Sequence, residues 1–318
     1  MIRERRFMVF AFVALLFAAA WLLLGTYARQ VEARAVCPDW PECYRPALAL
    51  PADDAPPVAV GLDTTRAVAD GALLFALAGL AGLGWTRRRT AFDRRWFIPA
   101  LGLAFAGSAT IARLADTGLP GGLWQQLAAL MTLMLLWWLV LRERRFWRPL
   151  AAESAATRVL RPRALTAMAL TLAAATLGGW AMVHGIGLPC PEFPACRGEW
   201  WPAGNLLAAF ATTARPDLAT AVLLEVSHRL GALISLIYVT WLGLHVWHIG
   251  TRDHLCRYGM LVLATLLAAT GLGIMGAVSR LPPVTAVAHS AAAALLLLSL
   301  VTLYHVARPA TRSEKRSP

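Results

Sequence analysis

Two histidines that lie deep within long apolar segments are the residues of this chain best suited to chemistry. His228 lies in the segment at about 218–248, and His289 lies in the segment at about 282–307. Ionisable side chains within such segments are rare and mark functional sites by default. Two inward-facing histidines at similar depth on neighbouring helices can supply both axial ligands of a heme iron. The spacing therefore indicates a heme site between these two residues.

The residues alone leave other interpretations of the pair open. Imidazole also binds zinc or copper, although no third ligand is evident at the same depth, and the pair could simply make polar contacts within a helical bundle. Glu225 lies three residues before His228 on the same helix face, where its carboxylate could bond to a ligand or accept protons. Arg229 lies near the outer end of the segment and could pair with heme propionates.

The sequence has five cysteines, and four of them form two pairs with the same spacing. Cys37-Pro-Asp-Trp-Pro-Glu-Cys43 is matched by Cys190-Pro-Glu-Phe-Pro-Ala-Cys196, which has both prolines in the same places. On the oxidising outer side of a bacterial inner membrane, each pair is predicted to form a disulfide. Each could be a structural cross-link of a small loop, or a pair that exchanges electrons by thiol–disulfide exchange. Nothing beside either pair completes a metal site.

The composition indicates a membrane protein. The 318 residues are 58% apolar and only 15% charged, whereas a soluble domain carries about 25% charged residues. A helix needs about 20 apolar residues to cross the hydrocarbon core, and such segments must be helical because no water is there to satisfy the backbone. Eight segments are predicted to span the membrane: about 7–26, 67–86, 97–115, 119–141, 164–184, 218–248, 258–279 and 282–307.

The positions of the cationic residues predict the orientation. With the N-terminus in the cytoplasm, 21 of the 30 Lys and Arg residues lie on the cytoplasmic side. The positive-inside rule therefore places both termini in the cytoplasm, with two long outer loops at about 27–66 and 185–217. A soluble nucleic-acid-binding protein would gather its cations on one folded surface. The net charge of +12 is thus explained by the cations of the cytoplasmic loops and termini, and no nucleic acid partner is expected.

The two halves of the chain repeat each other. The two cysteine pairs are 153 residues apart, and a second offset of 163 residues aligns Thr65 with His228 and Gln126 with His289. Each half has four predicted spans, an even number, so the halves share one orientation and form a parallel repeat. The sequence therefore predicts an all-α integral membrane protein of eight transmembrane helices.

The predicted helices form two four-helix bundles, residues 1–150 and residues 151–318. The second half carries the candidate heme site. The first half keeps the architecture, but it lacks the candidate ligands, because Thr does not ligate heme iron in ordinary proteins and Gln rarely does. Four first-half positions correspond to the residues of the second-half site: Leu62, Thr65, Arg66 and Gln126.

Together these motifs resemble the heme A synthase family, and the resemblance covers essentially the whole chain. It rests on the Cys-Pro-x-x-Pro-x-Cys loop early in each half and on Glu-x-x-His-Arg at Glu225, His228 and Arg229. It also rests on Pro-x5-His at Pro283 and His289. The resemblance implies that His228 and His289 ligate a heme b cofactor, one per chain. It further implies that the cysteine pairs act as disulfides or in redox chemistry.

The first half departs from the family pattern. In the family it also carries Glu-x-x-His-Arg and a second histidine, which hold the substrate heme beside a catalytic glutamate. Here those positions read Leu62-x-x-Thr65-Arg66 and Gln126. The catalytic residue is therefore unassigned from the sequence. Three acids are candidates for that role: Asp63, Asp70 and Glu225.

The resemblance and the departure give two functional hypotheses. The first is a heme A synthase-like oxidoreductase of the bacterial inner membrane, which oxidises the methyl group of heme O to the formyl group of heme A for cytochrome oxidase. Its substrate would be heme O or another heme, and its candidate partners are heme O synthase and cytochrome oxidase assembly proteins. The alternative is a non-catalytic protein that holds one bis-histidine heme b for electron transfer or oxidase assembly.

Overall fold

Seven helices make up most of the described chain. The structure is a computed structural model that describes residues 2–36, 57–85, 121–143, 159–183, 190, 192–202, 204–205, 218–249, 255–279 and 281–307. The helices are α1 (Ile2–Val36), α2 (Pro57–Trp85), α3 (Gly121–Glu143), α4 (Leu160–Val183), α5 (Leu218–Ile249), α6 (Cys256–Val278) and α7 (Pro283–Val306). The span predicted at about 97–115 and the Cys37–Cys43 pair lie outside the described residues.

Six of the described helices, α1 and α3 to α7, are long and apolar enough to cross a membrane. The described side chains of α2 give a shorter apolar stretch, Val68–Leu83. Large apolar side chains such as Ile237 and Leu267 are 63% and 73% exposed, as expected for side chains that face lipid. The chain is thus an all-α, multi-pass membrane protein. Eight helices in two repeated bundles stay a prediction.

Helices α1 and α2 extend beyond the apolar segments from which they were predicted. Helix α1 continues to Val36 and α2 begins at Pro57, so the outer loop predicted at about 27–66 is shorter than expected. The 35 residues of α1 span about 52 Å at about 1.5 Å per residue, against a hydrocarbon core of about 30 Å. The length of an apolar segment reflects the thickness of the hydrocarbon core. The helix itself can continue beyond that segment into the headgroup region, because its backbone hydrogen bonds do not require apolar side chains.

Helices α4 to α7 form a closed ring, in which α4 packs on α5, α5 on α6, α6 on α7 and α7 on α4. Hydroxyl pairs cross two of these contacts, Thr171 with Ser235 at 3.0 Å and Thr265 with Ser299 at 3.1 Å. In lipid such interhelical hydrogen bonds supplement van der Waals packing. Prolines occupy the first turns of α4 and α7, where the missing N–H leaves no intrahelical bond unmade.

The two halves pack against each other along α7, α3 and α4. Helix α1 packs on α2 and α3, and α7 contacts both α1 and α3. The core of the first half contains the fully buried Phe7 and Trp21, and Leu297 of α7 joins the same cluster. A second cluster fills the ring α4 to α7. The second half is therefore one closed bundle, and His228 and His289 lie in its interior.

Candidate functional site

The fold brings His228 and His289 close together inside the second half. His228 lies in the third turn of α5, and His289 lies in the second turn of α7. The two ring centres are 6.4 Å apart, and the ring planes make an angle of 79°. Helices α5 and α7 are opposite members of the ring, so each imidazole reaches toward the bundle axis.

Each histidine is held by a backbone carbonyl of a neighbouring helix. The Nδ1 atom of His228 lies 2.9 Å from the carbonyl oxygen of Ala174 on α4, and Nδ1 of His289 lies 2.9 Å from that of Ala269 on α6. A carbonyl oxygen can only accept, so Nδ1 must carry the proton and donate. This tautomer leaves the Nε2 lone pair of each ring available to a metal.

Each of the two rings packs closely against a glycine, where a larger residue would leave no space for it. A Cβ atom added at Gly178 would lie 2.8 Å from Cε1 of His228, and one added at Gly273 would lie 2.9 Å from Cε1 of His289. In each case the glycine is four residues after the alanine whose carbonyl accepts from the ring. A helical carbonyl points toward residue i+4, so a glycine there opens the carbonyl to a second donor. We call this pair, a carbonyl at i and a glycine at i+4, a carbonyl–glycine seat.

The two rings could together hold a heme iron, because their centres are 6.4 Å apart and the Nε2 lone pair of each ring is available. Among the described residues no group of three His, Cys, Asp or Glu side chains could hold a metal ion. A two-ligand site of this kind suits a metal whose other four ligands come from a porphyrin.

The guanidinium of Arg229 binds the loop that carries the second cysteine pair. Its Nη1 donates to the carbonyl oxygens of Glu192, Pro194 and Ala195 at 2.9, 3.1 and 3.0 Å. Its Nη2 donates to Oε1 of Glu225 in an i,i+4 ion pair. Both terminal nitrogens are thus used within the protein, and the contact with heme propionates stays a prediction.

Glu225 is a buried acid with one oxygen unused. The residue is 5% exposed, and Oε1 accepts from Arg229. The other oxygen, Oε2, is buried and has no hydrogen-bond partner among the described residues. The carboxylate also faces the backbone N–H of Cys190. A buried polar atom with spare hydrogen-bonding capacity requires an explanation, and a functional role is one.

Cys190 and Cys196 form a disulfide. The two residues are 1% and 2% exposed, and they pack against Val222 and Val226 of α5. Thiol–disulfide exchange requires an attacking thiolate to reach a sulfur atom. Of the two interpretations of this pair, its burial therefore favours a structural cross-link that fixes the loop on α5.

The first-half counterparts of the histidines differ in their surroundings. Thr65 on α2 is exposed. Gln126 on α3 points across to the other half, where its Nε2 donates to the carbonyl oxygen of Ala175 on α4 at 3.0 Å. Asp70 is half-buried on α2. Three further candidates belong to α2, but their side chains lie outside the described part: Leu62, Asp63 and Arg66.

A buried polar network between α1 and α3 was not predicted from the sequence. Arg29 is 7% exposed, and its Nη1 donates to Oε1 of Gln125 at 3.3 Å. Its Nη2 donates to Oγ1 of Thr26 at 3.3 Å and to Oε1 of Gln126 at 3.5 Å. A buried arginine bonded to amides of the next helix cannot be inferred from apolar patterning, because the pattern does not give the partner.

The glycines of the carbonyl–glycine seats were also not predicted from the sequence, although their positions in the sequence give an indication of them. Gly178, Gly179 and Gly273 lie inside apolar helices, where glycine is about 1 kcal/mol less favourable than alanine. A glycine retained at such a place indicates a close approach by another group.

These features define a multi-pass α-helical membrane protein with an inward-facing histidine pair in its second half. The sequence model of the cytochrome oxidase assembly protein family matches residues 126–301, which is more than half of the chain and includes both histidines. The chain therefore belongs to the family of cytochrome oxidase assembly proteins. It is also 27% identical to the heme A synthase of Shewanella oneidensis over 325 aligned residues, which cover 92% of this chain and 93% of that relative.

Proposed function

We propose that this protein acts in heme A synthesis for cytochrome oxidase, as a membrane oxidoreductase that converts the methyl group of heme O to the formyl group of heme A. The observation that carries the proposal is the His228–His289 pair, whose ring centres are 6.4 Å apart. Membership of the cytochrome oxidase assembly protein family and the similarity to a heme A synthase support the same function.

In this proposal Nε2 of His228 and Nε2 of His289 would hold one heme b in the second half. Iron in this setting supplies one-electron redox chemistry when the heme is bound. The carbonyls of Ala174 and Ala269 fix the two rings by accepting from Nδ1. Such outer hydrogen bonds orient a ligand and raise its basicity. They therefore hold each ring in one orientation with Nε2 left for a ligand.

Glu225 is the acid that we assign to proton handling at this site. Its Oε1 is occupied by Arg229, and its Oε2 is free among the described residues to hold a proton or to bond to a bound group. The i,i+3 spacing places it one turn outward of His228 on the same helix face. Asp63 and Asp70 remain first-half candidates for the acid that acts on the substrate.

The test is a count of hemes in the purified chain. The protein is expressed in a membrane with a heme O synthase and purified, and the extracted hemes are separated by chromatography against protein concentration. We expect heme b together with heme A or a hydroxylated intermediate. His228→Ala and His289→Ala should each remove the low-spin absorption spectrum. An unchanged spectrum in both variants would exclude the histidine pair as the ligands.

One observation favours the alternative, a non-catalytic bis-histidine heme b protein for electron transfer or oxidase assembly. Gln126, the counterpart of His289, donates to Ala175 and accepts from Arg29, so its amide is used within the protein. The same heme count separates the two functions. One heme b per chain and no heme A in a membrane that makes heme O would favour the alternative.

A further inference from the structure

The carbonyl–glycine seat occurs a third time, and its occupant is a glutamine of the first half. Nε2 of Gln126 donates to the carbonyl oxygen of Ala175 at 3.0 Å. Gly179, four residues later on α4, clears the space, because a Cβ atom there would lie 2.7 Å from Oε1 of Gln126. The seat has the same construction as those of His228 and His289.

The third seat lies directly beside the seat of His228. The two accepting carbonyls belong to consecutive residues of α4, Ala174 and Ala175, and the two clearing glycines are Gly178 and Gly179. One seat is filled from α5 of the same half, and the other is filled from α3 of the opposite half. A single turn of α4 therefore joins the first half to the ring of a candidate heme ligand.

Arg29 fixes which way round the amide of Gln126 lies. A guanidinium can only donate, so the atom that faces Nη2 of Arg29 at 3.5 Å must be the amide oxygen. The amide nitrogen is then directed at Ala175. The three groups form a directed chain of hydrogen bonds from α1 through α3 to α4.

We propose that Gln126 is a positioning residue, which holds α4 so that the carbonyl of Ala174 and the space at Gly178 meet the ring of His228. The inference rests on the proposed function, in that the ring it positions is a heme ligand. The hydrogen bonds of Gln126 go to Ala175 and from Arg29 rather than to either ring, so its effect passes through α4. Removal of its amide should let this turn of α4 move relative to α5 and change the orientation of the His228 ring.

The test compares Gln126→Leu with wild-type protein in detergent. In heme-loaded protein we expect a shift in the low-spin electron paramagnetic resonance signal, a shift in the midpoint potential, and faster loss of heme to an excess of apomyoglobin. In heme-free protein labelled with ¹⁵N-histidine we expect the Nδ1–H resonance of His228 to shift. That resonance is assigned by its absence from the spectrum of His228→Ala.

A second pair of variants tests the same bond from the other side. Gly179→Ala should displace the amide of Gln126, since all three atoms nearest to the added Cβ belong to that side chain, and should reproduce the shifts. Combined with Gln126→Leu it should add nothing, which is the signature of residues that act through one contact. Gln126→His keeps an N–H donor for the seat and should retain the wild-type signals.

The matched control is Gln30→Leu. Gln30 is a buried first-half glutamine, 4% exposed, which also contacts α4, through Nε2 to the sulfur of Met182 at 3.2 Å. That contact lies two turns from Ala174, so its loss should leave the His228 signals unchanged. Gly82→Ala, which meets nothing within 4 Å, is the control for the added methyl group.

The outcomes separate this inference from the proposed function. It is overturned if Gln126→Leu leaves the His228 resonance and the heme signals of the loaded protein unchanged, or if Gln30→Leu shifts them equally. A wild-type chain that binds no low-spin heme would overturn the proposed function, and the ¹⁵N resonance in the heme-free protein would then decide the role of Gln126 alone.

Discussion

At the scale of single residues, glycines help to set the positions of the two histidine rings that we propose as ligands. A Cβ atom at Gly273 would lie 2.9 Å from Cε1 and 3.2 Å from Nδ1 of His289. Both atoms belong to a ring held by the carbonyl of Ala269. The ring cannot retreat without breaking that hydrogen bond, which fixes its tautomer and direction.

Gly273→Ala should therefore weaken heme binding. We expect about 10-fold to 100-fold loss of heme affinity, the usual cost of disturbing an outer partner of a metal ligand. Affinity is measured by competition for heme with apomyoglobin. Gly271→Ala on the same helix is the control, because nothing lies within 4 Å of the added methyl. An equal loss of heme affinity in both variants would show that any methyl group added to α6 weakens binding, whether or not it meets the His289 ring.

The angle between the two imidazole planes predicts a spectroscopic signature. The planes make an angle of 79°, which is close to perpendicular. Perpendicular axial imidazoles leave two iron d orbitals nearly degenerate, so the ferric low-spin heme should give a highly anisotropic electron paramagnetic resonance signal with one large g value. The measurement is a low-temperature spectrum of the oxidised protein. A rhombic signal of the type given by parallel imidazoles would contradict the ring geometry.

At the scale of elements, the sequence predicts the helices well and their partners poorly. The predicted spans at about 119–141 and 218–248 match α3 and α5 within two residues, because apolar length reports the hydrocarbon core. The depth of His228 and His289 follows from the same pattern. Their two seats do not follow, because a backbone carbonyl on another helix leaves no mark on the ligand's own segment.

The partners of Arg229 show the same limit. Its position beside His228 predicts heme propionates as partners, which stays a prediction, whereas its three bonds to carbonyls of the loop that ends at Cys196 could not be predicted. An arginine presents five donors in a fixed fork. Such a group meets several carbonyls of a turned loop at once, but only the folded loop shows that those carbonyls converge on it.

Loss of this clamp should loosen the outer loop. Arg229→Leu leaves three carbonyls and Glu225 without their donor, and breaking a buried ion pair costs about 3–5 kcal/mol, less here because the Arg229 side chain is 15% exposed. We expect the Cys190–Cys196 disulfide to become reducible by mild thiol treatment, measured by maleimide labelling. Arg197→Gln, at an exposed position of the same loop, should stay protected. Protection in Arg229→Leu as well would mean that packing on Val222 and Val226 alone fixes the loop.

At the scale of the whole molecule, the described parts of the two halves have different interiors. The second half brings two imidazoles to a centre-to-centre distance of 6.4 Å, whereas the first half uses Arg29, Gln125 and Gln126 to join α1 and α3 to each other and to α4. A buried hydrogen-bonded network fixes one arrangement of its helices. If Gln126 positions α4 as proposed, the first half supports the arrangement of helices in the second.

The asymmetry predicts what restoration of the first half would do. The seat at Ala175 and Gly179 has the same construction as the seats of the two histidines, so it can accept Nδ1–H of an imidazole in place of the amide of Gln126. Gln126→His alone supplies one ligand with no partner opposite, and heme should stay at one per chain.

Thr65→His, Gln126→His and Leu62→Glu together supply two ligands and an acid. We expect that triple variant to bind two hemes per chain, counted by pyridine hemochrome against protein concentration. If it still binds one, the first-half interior is closed to porphyrin whatever its ligands. If heme A appears in the triple variant and not in the native chain, the native protein belongs to the non-catalytic alternative, because the missing chemistry then resides in those three positions.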